Sequence, residues 1–170
     1  MSVCVTTYDM DSKPLSERAV THWLWLFPIT YLIHIAEEYF VGGGYSAYLQ
    51  KLRGVHLSPT RFLVAQSIGV VLMVIGVVLA KRFRFQNMLI VILGAVVLVN
   101  GITHSATSIV HGGYGPGLIT SGFIWIPFGL ATLVRFKAAN SNRRYWIAVA
   151  IGVGINVVIG VLTMRGGRVV

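Results

Sequence analysis

The chain has 170 residues, of which 55% are hydrophobic and only 11% are charged, and its mean hydropathy is +0.75. Soluble domains carry about 25% charged residues, so this composition excludes an ordinary soluble fold and indicates the bilayer as solvent. The formal net charge is +9, but the cations lie in short clusters between apolar runs, so we expect no nucleic-acid partner. The single cysteine, Cys4, excludes an internal disulfide and a Cys-rich metal site.

Five apolar stretches follow a polar N-terminal segment of residues 1–21. They run from about 22–41, 60–80, 86–110, 117–134 and 145–164, and each is long enough to cross about 30 Å of hydrocarbon as a helix. The N-terminal segment does not resemble a cleavable signal peptide. The sequence therefore predicts an all-α, polytopic integral membrane protein in which residues 22–170 form a bundle of five transmembrane helices surrounded by membrane lipid.

The first span contains the stretch L-I-H-I-A-E-E-Y-F, which places His34, Glu37 and Glu38 within an apolar run. Residues three and four apart share a helix face, so at least one carboxylate should face the same way as the imidazole. An ionised acid at the membrane centre costs roughly 2.5–3.5 kcal/mol on insertion scales, so we expect these groups to face the bundle interior. Glu38 is also the last acidic residue of the chain.

The segment that follows, residues 42–59, begins with G-G-G and could form a mobile lid over the polar groups. The second span then carries Gln66 near its start. Because this span is antiparallel to the first, Gln66 falls in the same half of the bilayer as the His34 group.

The third span carries a second polar set, V-N-G-I-T-H-S-A, in which Asn100 and His104 are four residues apart and project together. Spans one and three cross in the same direction and place their polar residues at a common depth. We therefore expect one shared polar cavity that opens toward the face carrying Tyr45, His111 and Tyr114.

Aromatic residues supply candidate walls for that cavity. Trp125 of the fourth span, together with Tyr31 and Tyr114, could contact a substrate, and Gln66 could bind it as well. An ordinary core or lipid contact is the favoured interpretation of Trp125. Asn156 is alone in the fifth span, and we interpret it as a helix-packing contact.

The distribution of Lys and Arg predicts the direction of insertion. The N-terminal segment carries two of these cations, the 81–85 loop three and the 135–144 loop four, whereas the opposite face carries five. The positive-inside rule then places the N-terminus in the cytoplasm, with the protein in the cytoplasmic (inner) membrane.

The H-I-A-E-E stretch of residues 34–38 resembles the signature of the HXXEE membrane protein family. The N-x-x-x-H pair of Asn100 and His104 and the Y-x-P-G of residues 114–117 match two further elements of that family in order and spacing. The resemblance covers most of the chain. It implies a membrane protein suspected of catalysis and does not specify the reaction.

We expect an integral membrane enzyme that acts on a lipophilic small molecule, with metal-assisted hydrolysis as the first hypothesis. His34, His104 and a glutamate would bind one divalent ion, zinc or iron, and His111 could add a further nitrogen ligand. The remaining glutamate would act as general base, and Asn100 would orient a ligand or a substrate carbonyl. The catalytic candidates are therefore His34, Glu37, Glu38, Asn100 and His104, and the metal-ligand candidates are His34, Glu37, Glu38, His104 and His111.

Three alternatives remain open at this point. Without a metal, Glu37 and Glu38 could act as an acid–base pair that isomerises or cyclises an isoprenoid, sterol or polyketide. Intramembrane carboxylates and histidines also mark the pathways of small proton-coupled transporters. Finally, the same residues could form a purely structural hydrogen-bond network between helices.

Overall fold

The computed structural model describes residues 16–54 and 56–166, and within these ranges the regular structure is entirely helical. Most of the expected N-terminal segment, including Cys4, and residues 167–170 lie outside the described residues. Six helices follow one another: α1 (Glu17–Phe40), α2 (Gly44–Arg53), α3 (Pro59–Arg82), α4 (Gln86–Val110), α5 (Leu118–Lys137) and α6 (Asn142–Gly166).

All of these except α2 are long and apolar enough to cross a membrane, which confirms the expected five-helix architecture. The observed bounds differ from the expected ones by a few residues. The largest difference is at α1, which starts five residues before His22 because Ser16 caps it: the Ser16 hydroxyl accepts a hydrogen bond from the Ala19 backbone N–H at 3.3 Å.

Helix α4 lies at the centre of the bundle and packs against α1, α3, α5 and α6. Glycine allows its closest contacts. A Cβ on Gly152 of α6 would lie 2.5 Å from the carbonyl oxygen of Ile92, and a Cβ on Gly129 of α5 would lie 2.7 Å from Cβ of Leu98. The Asn156 amide donates to the Val96 carbonyl of α4 at 3.0 Å, so its interpretation as a packing contact is confirmed.

Most of the apolar core lies toward one end of the bundle, and the buried histidine and glutamate side chains lie toward the other. Leu24, Phe27, Val97, Trp125 and Phe136 are fully buried between α1, α4 and α5. Most other large apolar side chains on α3 and α6 are exposed. An apolar outer surface of this kind suits contact with lipid tails, since the bilayer interior is as apolar as the core.

Two irregular backbone segments position the polar half of the bundle. Gly42, Gly43 and Gly44 have φ values of +66°, +82° and +84°, and they turn the chain from α1 into α2. The 42–59 segment, expected as a lid, therefore contains the short helix α2. At the second irregular segment, Gly117 (φ +88°) precedes α5, whose residues Ser121–Trp125 form a π-helical turn.

Candidate functional site

Three side chains from two helices converge at the polar end of the bundle: His34 and Glu38 are buried, and His104 is partly buried. Glu38 Oε1 lies 3.3 Å from Nε2 of His104 and 3.7 Å from Nε2 of His34. One ligand atom from each of the three residues lies within 4.8 Å of the others, which is a geometry that could hold a metal ion. The two imidazoles meet edge to face, with ring centroids 5.0 Å apart. The expected meeting of spans one and three is confirmed, and we call these three residues the His–Glu–His cluster.

The Nδ1 atom of His34 fixes the orientation of this ring. It lies 2.6 Å from the hydroxyl oxygen of Thr120 in α5. That hydroxyl has a single proton, which points toward the Gly117 carbonyl or the Glu37 carboxylate, both of which only accept hydrogen bonds. This arrangement favours donation from the Nδ1–H of His34, which leaves a lone pair on Nε2. Nε2 is buried and has no hydrogen-bond partner among the described residues.

His104 is held in the same way. Its ring is hydrogen-bonded to the backbone of Pro116, which offers only a carbonyl oxygen. Nδ1 is the nitrogen on that side of the ring, since it lies 3.0 Å from where a Cβ on Gly117 would stand. Donation from Nδ1 leaves the Nε2 lone pair facing Glu38. Both histidines therefore present Nε2 to the cluster.

The carboxylate of Glu38 has its own support from α3. Its Oε2 accepts a hydrogen bond from Gln66 Nε2 at 2.8 Å, and Gln66 Oε1 in turn accepts one from the Tyr31 hydroxyl. Gln66 and Tyr31, expected as substrate contacts, thus orient Glu38 through hydrogen bonds, and both also line the adjoining cavity. With Thr120 and Pro116 behind the histidines, every member of the cluster has the outer hydrogen bond that is typical of metal ligands.

Glu37 has a different environment from its neighbour. Its Oε1 accepts from the Tyr114 hydroxyl at 2.7 Å and from the Ile119 backbone N–H at 2.9 Å, and its Oε2 accepts from the Thr120 backbone N–H at 2.7 Å. Glu37 therefore caps the N-terminus of α5, where unpaired N–H groups and the helix dipole favour an anion. It lies outside the group of three that could hold a metal.

Tyr114 is a partner of this cap. Burial and the hydrogen bond to the Glu37 carboxylate raise the pKa of its phenol above the ordinary value. The phenol therefore remains a hydrogen-bond donor at neutral pH, and its hydroxyl is committed to Glu37.

Trp125 forms one wall of the cluster. Its ring stacks on the His34 imidazole with centroids 3.7 Å apart and planes 24° apart, and it is almost fully buried. Tyr31 also stacks on Trp125, with ring centroids 6.0 Å apart. Trp125 thus restricts the rotation of His34, while part of it also lines the adjoining cavity.

Asn100 and His111 differ in their relation to the cluster. Asn100 lines the same cavity as His104, one turn before it on α4, and its buried Oδ1 has no hydrogen-bond partner among the described residues. His111 is the exposed residue that ends α4, because the helix stops at Val110 and Gly112 turns the chain away. The structure does not bring His111 to the cluster.

Sequence reasoning missed Thr120. The P-G pair before it marks a turn, and α5 begins directly afterwards, which places Thr120 in the first helical turn. No spacing rule shows that this hydroxyl meets His34, since the two residues are 86 positions apart.

A cavity of about 440 Å³ opens from the cluster into the bundle. Its polar end is formed by Glu38, His104 and Asn100, and most of its remaining lining is apolar and comes from α3, α4 and α6. A concave, mostly apolar cavity with a few convergent polar groups is the usual form of a small-molecule site.

The fold and the site together define a class: a polytopic α-helical membrane protein with a buried cluster of two histidines and one carboxylate. Residues 25–132, more than half of the chain, match the family described as protein of unknown function with HXXEE motif, and the chain belongs to that family. In the motif, the histidine and the second glutamate build the cluster, whereas the first glutamate caps α5. No curated protein and no solved structure matches the chain.

Proposed function

We propose that this chain is an integral membrane enzyme that hydrolyses a lipophilic small molecule with one divalent metal ion held by His34, Glu38 and His104. The observation that carries the proposal is the convergence of two histidine Nε2 atoms and a carboxylate oxygen, from residues that each have an outer hydrogen bond. Two histidines and one glutamate form a ligand set of zinc hydrolases, and the same donors suit ferrous iron.

A bound ion of this kind polarises a carbonyl group and lowers the pKa of a water molecule. The residues of the chain would supply the rest. The Asn100 amide lies at the polar end of the cavity, where it can orient a carbonyl or a water. The apolar lining would hold the substrate and keep bulk water away. Both oxygens of Glu37 already accept hydrogen bonds, so the geometry does not favour Glu37 as the general base.

Metal content tests this proposal directly. The detergent-purified protein, loaded with zinc or ferrous iron and desalted, should retain about one ion per chain by elemental analysis. His34→Ala and His104→Ala should lose the ion. His111→Ala is the matched control, since His111 is an exposed histidine at the end of the same helix as His104. Equal retention by His104→Ala and His111→Ala, or no retention by the unmodified chain, would contradict the metal site.

A metal-free acid–base isomerase or cyclase is the second candidate, favoured by one observation. Glu38 Oε1 and His104 Nε2, at 3.3 Å, are close enough to exchange a proton through a small adjustment. The aromatic ring of Tyr45, 6.0 Å from the ring of His104, could stabilise a developing cation. Conversion of an isoprenoid, sterol or polyketide by metal-free protein, abolished in Glu38→Gln, would select this candidate.

We also propose that the N-terminus faces the cytoplasm. The α3–α4 and α5–α6 connections lie on the same side as the start of α1, and they carry Lys81, Arg82, Arg84, Arg135, Lys137, Arg143 and Arg144. The cluster would then lie in the outer half of the cytoplasmic membrane.

A further inference from the structure

We propose that the substrate is a single-chain amphiphile of about twelve tail carbons, whose small hydroxylated head group is joined to the tail by a hydrolysable carbonyl link. This inference rests on the proposed function and adds to it the chemical class of the molecule. It comes from two cavities that meet at the His–Glu–His cluster.

The first cavity, which we call the tail chamber, is the apolar space of about 440 Å³. It runs along α3 from Gln66, beside Glu38, to Gly76, which faces Leu89 of α4. Ten residues of helix span about 15 Å, and an extended chain with C–C bonds of about 1.5 Å covers that length with roughly twelve carbons.

The volume of the tail chamber matches one chain of this length. A methylene group occupies about as much space as a water molecule in the liquid, roughly 30 Å³, so the chamber holds about fifteen such groups. The lining is apolar beyond Gln66, and it contributes no charged side chain apart from the cluster.

The second cavity, which we call the head chamber, has a volume of about 160 Å³ and lies below α2. Tyr48, Arg53 and Ser108 line it with polar groups, and Asn100 and His104 line both chambers. The Tyr48 hydroxyl and the Asn100 Oδ1 are buried without a hydrogen-bond partner among the described residues. Such groups are costly unless a ligand or water satisfies them.

The two buried groups without hydrogen-bond partners are the Tyr48 hydroxyl and the Asn100 amide oxygen. They suit a head group that both accepts and donates hydrogen bonds. At roughly 30 Å³ per water, the head chamber holds about five water-sized groups, which is the size of a glycerol. Because His104 lines both chambers, the bond at the cluster is the one that joins head to tail.

For an ester, the step balances as a hydrolysis. The oxygen of a water molecule bonds to the tail carbonyl carbon, and the bond from that carbon to the head-group oxygen breaks. One proton of the water passes to the released alcohol. The other is released as the tail acid ionises.

Equilibrium binding of 1-O-alkylglycerols tests the two chambers without any turnover, because their ether link is not hydrolysed. We expect thermal stabilisation of the detergent-purified protein to grow with the chain length of the ligand from eight carbons and to level off near twelve. We call the length at which it levels off the chain-length limit.

Gly76→Leu should lower the chain-length limit by about four carbons, since it fills about one helical turn, 5.4 Å, at the end of the chamber. Gly154→Leu on α6 is the matched control and should keep the limit, since a Cβ there meets no atom within 4 Å.

Leu89→Phe fills the same end of the tail chamber from α4 and provides a second test if Gly76→Leu does not fold. The head chamber is tested by Tyr48→Phe, which should weaken binding of the twelve-carbon alkylglycerol about fivefold and leave the affinity for a twelve-carbon alkyl methyl ether unchanged. The inference is wrong if neither Gly76→Leu nor Leu89→Phe lowers the chain length at which stabilisation levels off. It is also wrong if Tyr48→Phe weakens binding of both ligands equally.

Hydrolysis is then measured separately on the twelve-carbon monoacylglycerol. If the chain-length limit shifts as expected and the metal-loaded protein releases no fatty acid, the hydrolase proposal fails while the two chambers stand. If fatty acid is released with no chain-length limit, the proposed function stands and the substrate class is wrong.

Discussion

Adjacent residues of one helix take separate roles at this site. Neighbouring side chains on a helix point about 100° apart, so Glu37 and Glu38 reach different elements. Glu37 reaches the start of α5, and Glu38 reaches His104 on α4. The two glutamates of the motif therefore lie in different electrostatic environments, one beside a helix N-terminus and the other between two imidazoles.

We predict opposite phenotypes for Glu37→Gln and Glu38→Gln. Glu37→Gln removes the charge from a cap that accepts two backbone N–H groups, and hydrogen bonds to charged groups contribute about 1.5–3 kcal/mol each. We expect a loss of stability of that order, seen as a lower thermal midpoint in detergent, with metal retained. Glu38→Gln should lose the metal with little loss of stability, because it also removes a buried charge.

Both variants must be compared in metal-loaded and metal-free form, since a bound ion itself raises the midpoint. The assignment of roles would be wrong if Glu37→Gln lost the metal while its midpoint stayed unchanged.

The pKa of Tyr114 predicts how the cap responds to pH. Because burial and the Glu37 carboxylate raise this pKa in the folded protein, the stabilisation is complete below the pKa of the unfolded chain, about 10. It is lost only as pH rises through the higher folded value. The difference in thermal midpoint between the unmodified chain and Tyr114→Phe should therefore stay constant from pH 6 to 9. A difference that shrinks within this range would show that the phenol ionises early.

At the scale of elements, the start of α5 assembles the site. This short stretch supplies the Pro116 carbonyl to His104, the Thr120 hydroxyl to His34 and two backbone N–H groups to Glu37. Gly117 makes this possible, because a Cβ there would lie 2.7 Å from Cε1 of His34 and 3.0 Å from Nδ1 of His104.

We predict that Gly117→Ala abolishes metal binding, whereas Gly112→Ala does not. Both glycines have positive φ, so each substitution costs about 1–2 kcal/mol of backbone strain. Only at Gly117 does the new methyl group displace the two imidazoles, since a Cβ on Gly112 meets no atom within 4 Å. Metal content and thermal midpoint, measured on both variants, separate the two effects. Equal metal loss in both would mean that strain alone disturbs the site.

At the scale of the whole molecule, most of the apolar core and the His–Glu–His cluster lie toward opposite ends of the bundle. The cavity between α3, α4 and α6 connects them, and α2 covers the polar end, where Tyr45 lies against His104 and Phe62. Such a site is reached from the bilayer or from the side of the membrane that α2 faces. If the proposed hydrolase activity holds, the direction of insertion decides on which side of the membrane a polar product is released.

We predict that α2 faces the outside of the cell and the α5–α6 connection faces the cytoplasm. Starting from Cys4→Ser, single cysteines are introduced at the exposed positions Gln50 and Ala139. A membrane-impermeant maleimide should label Gln50→Cys in intact cells and label Ala139→Cys only after the membrane is opened. The reverse pattern would place the N-terminus outside.

Much of this protein follows from local pattern. Hydropathy alone predicts five spans, because the bilayer demands long apolar helices. The free-energy cost of exposing a charge to lipid predicts that His34 and Glu38 face the bundle interior. Their depth in the bilayer predicts that they contact His104. The same reasoning cannot separate Glu37 from Glu38, since both lie within reach of His34 on the helix surface.

Tertiary structure alone decided the remaining features. The rotation of α1 about its axis, set by packing against α3, α4 and α5, determines which glutamate joins the cluster. The contact between Thr120 and His34 joins residues far apart in the chain, and periodicity within one helix carries no information about such contacts. His111 would lie on the same helix face as His104 if α4 continued, but the helix ends at Val110. Local sequence therefore determines which helices form and which of their residues face the interior of the bundle. Packing between helices determines which of those residues contact one another.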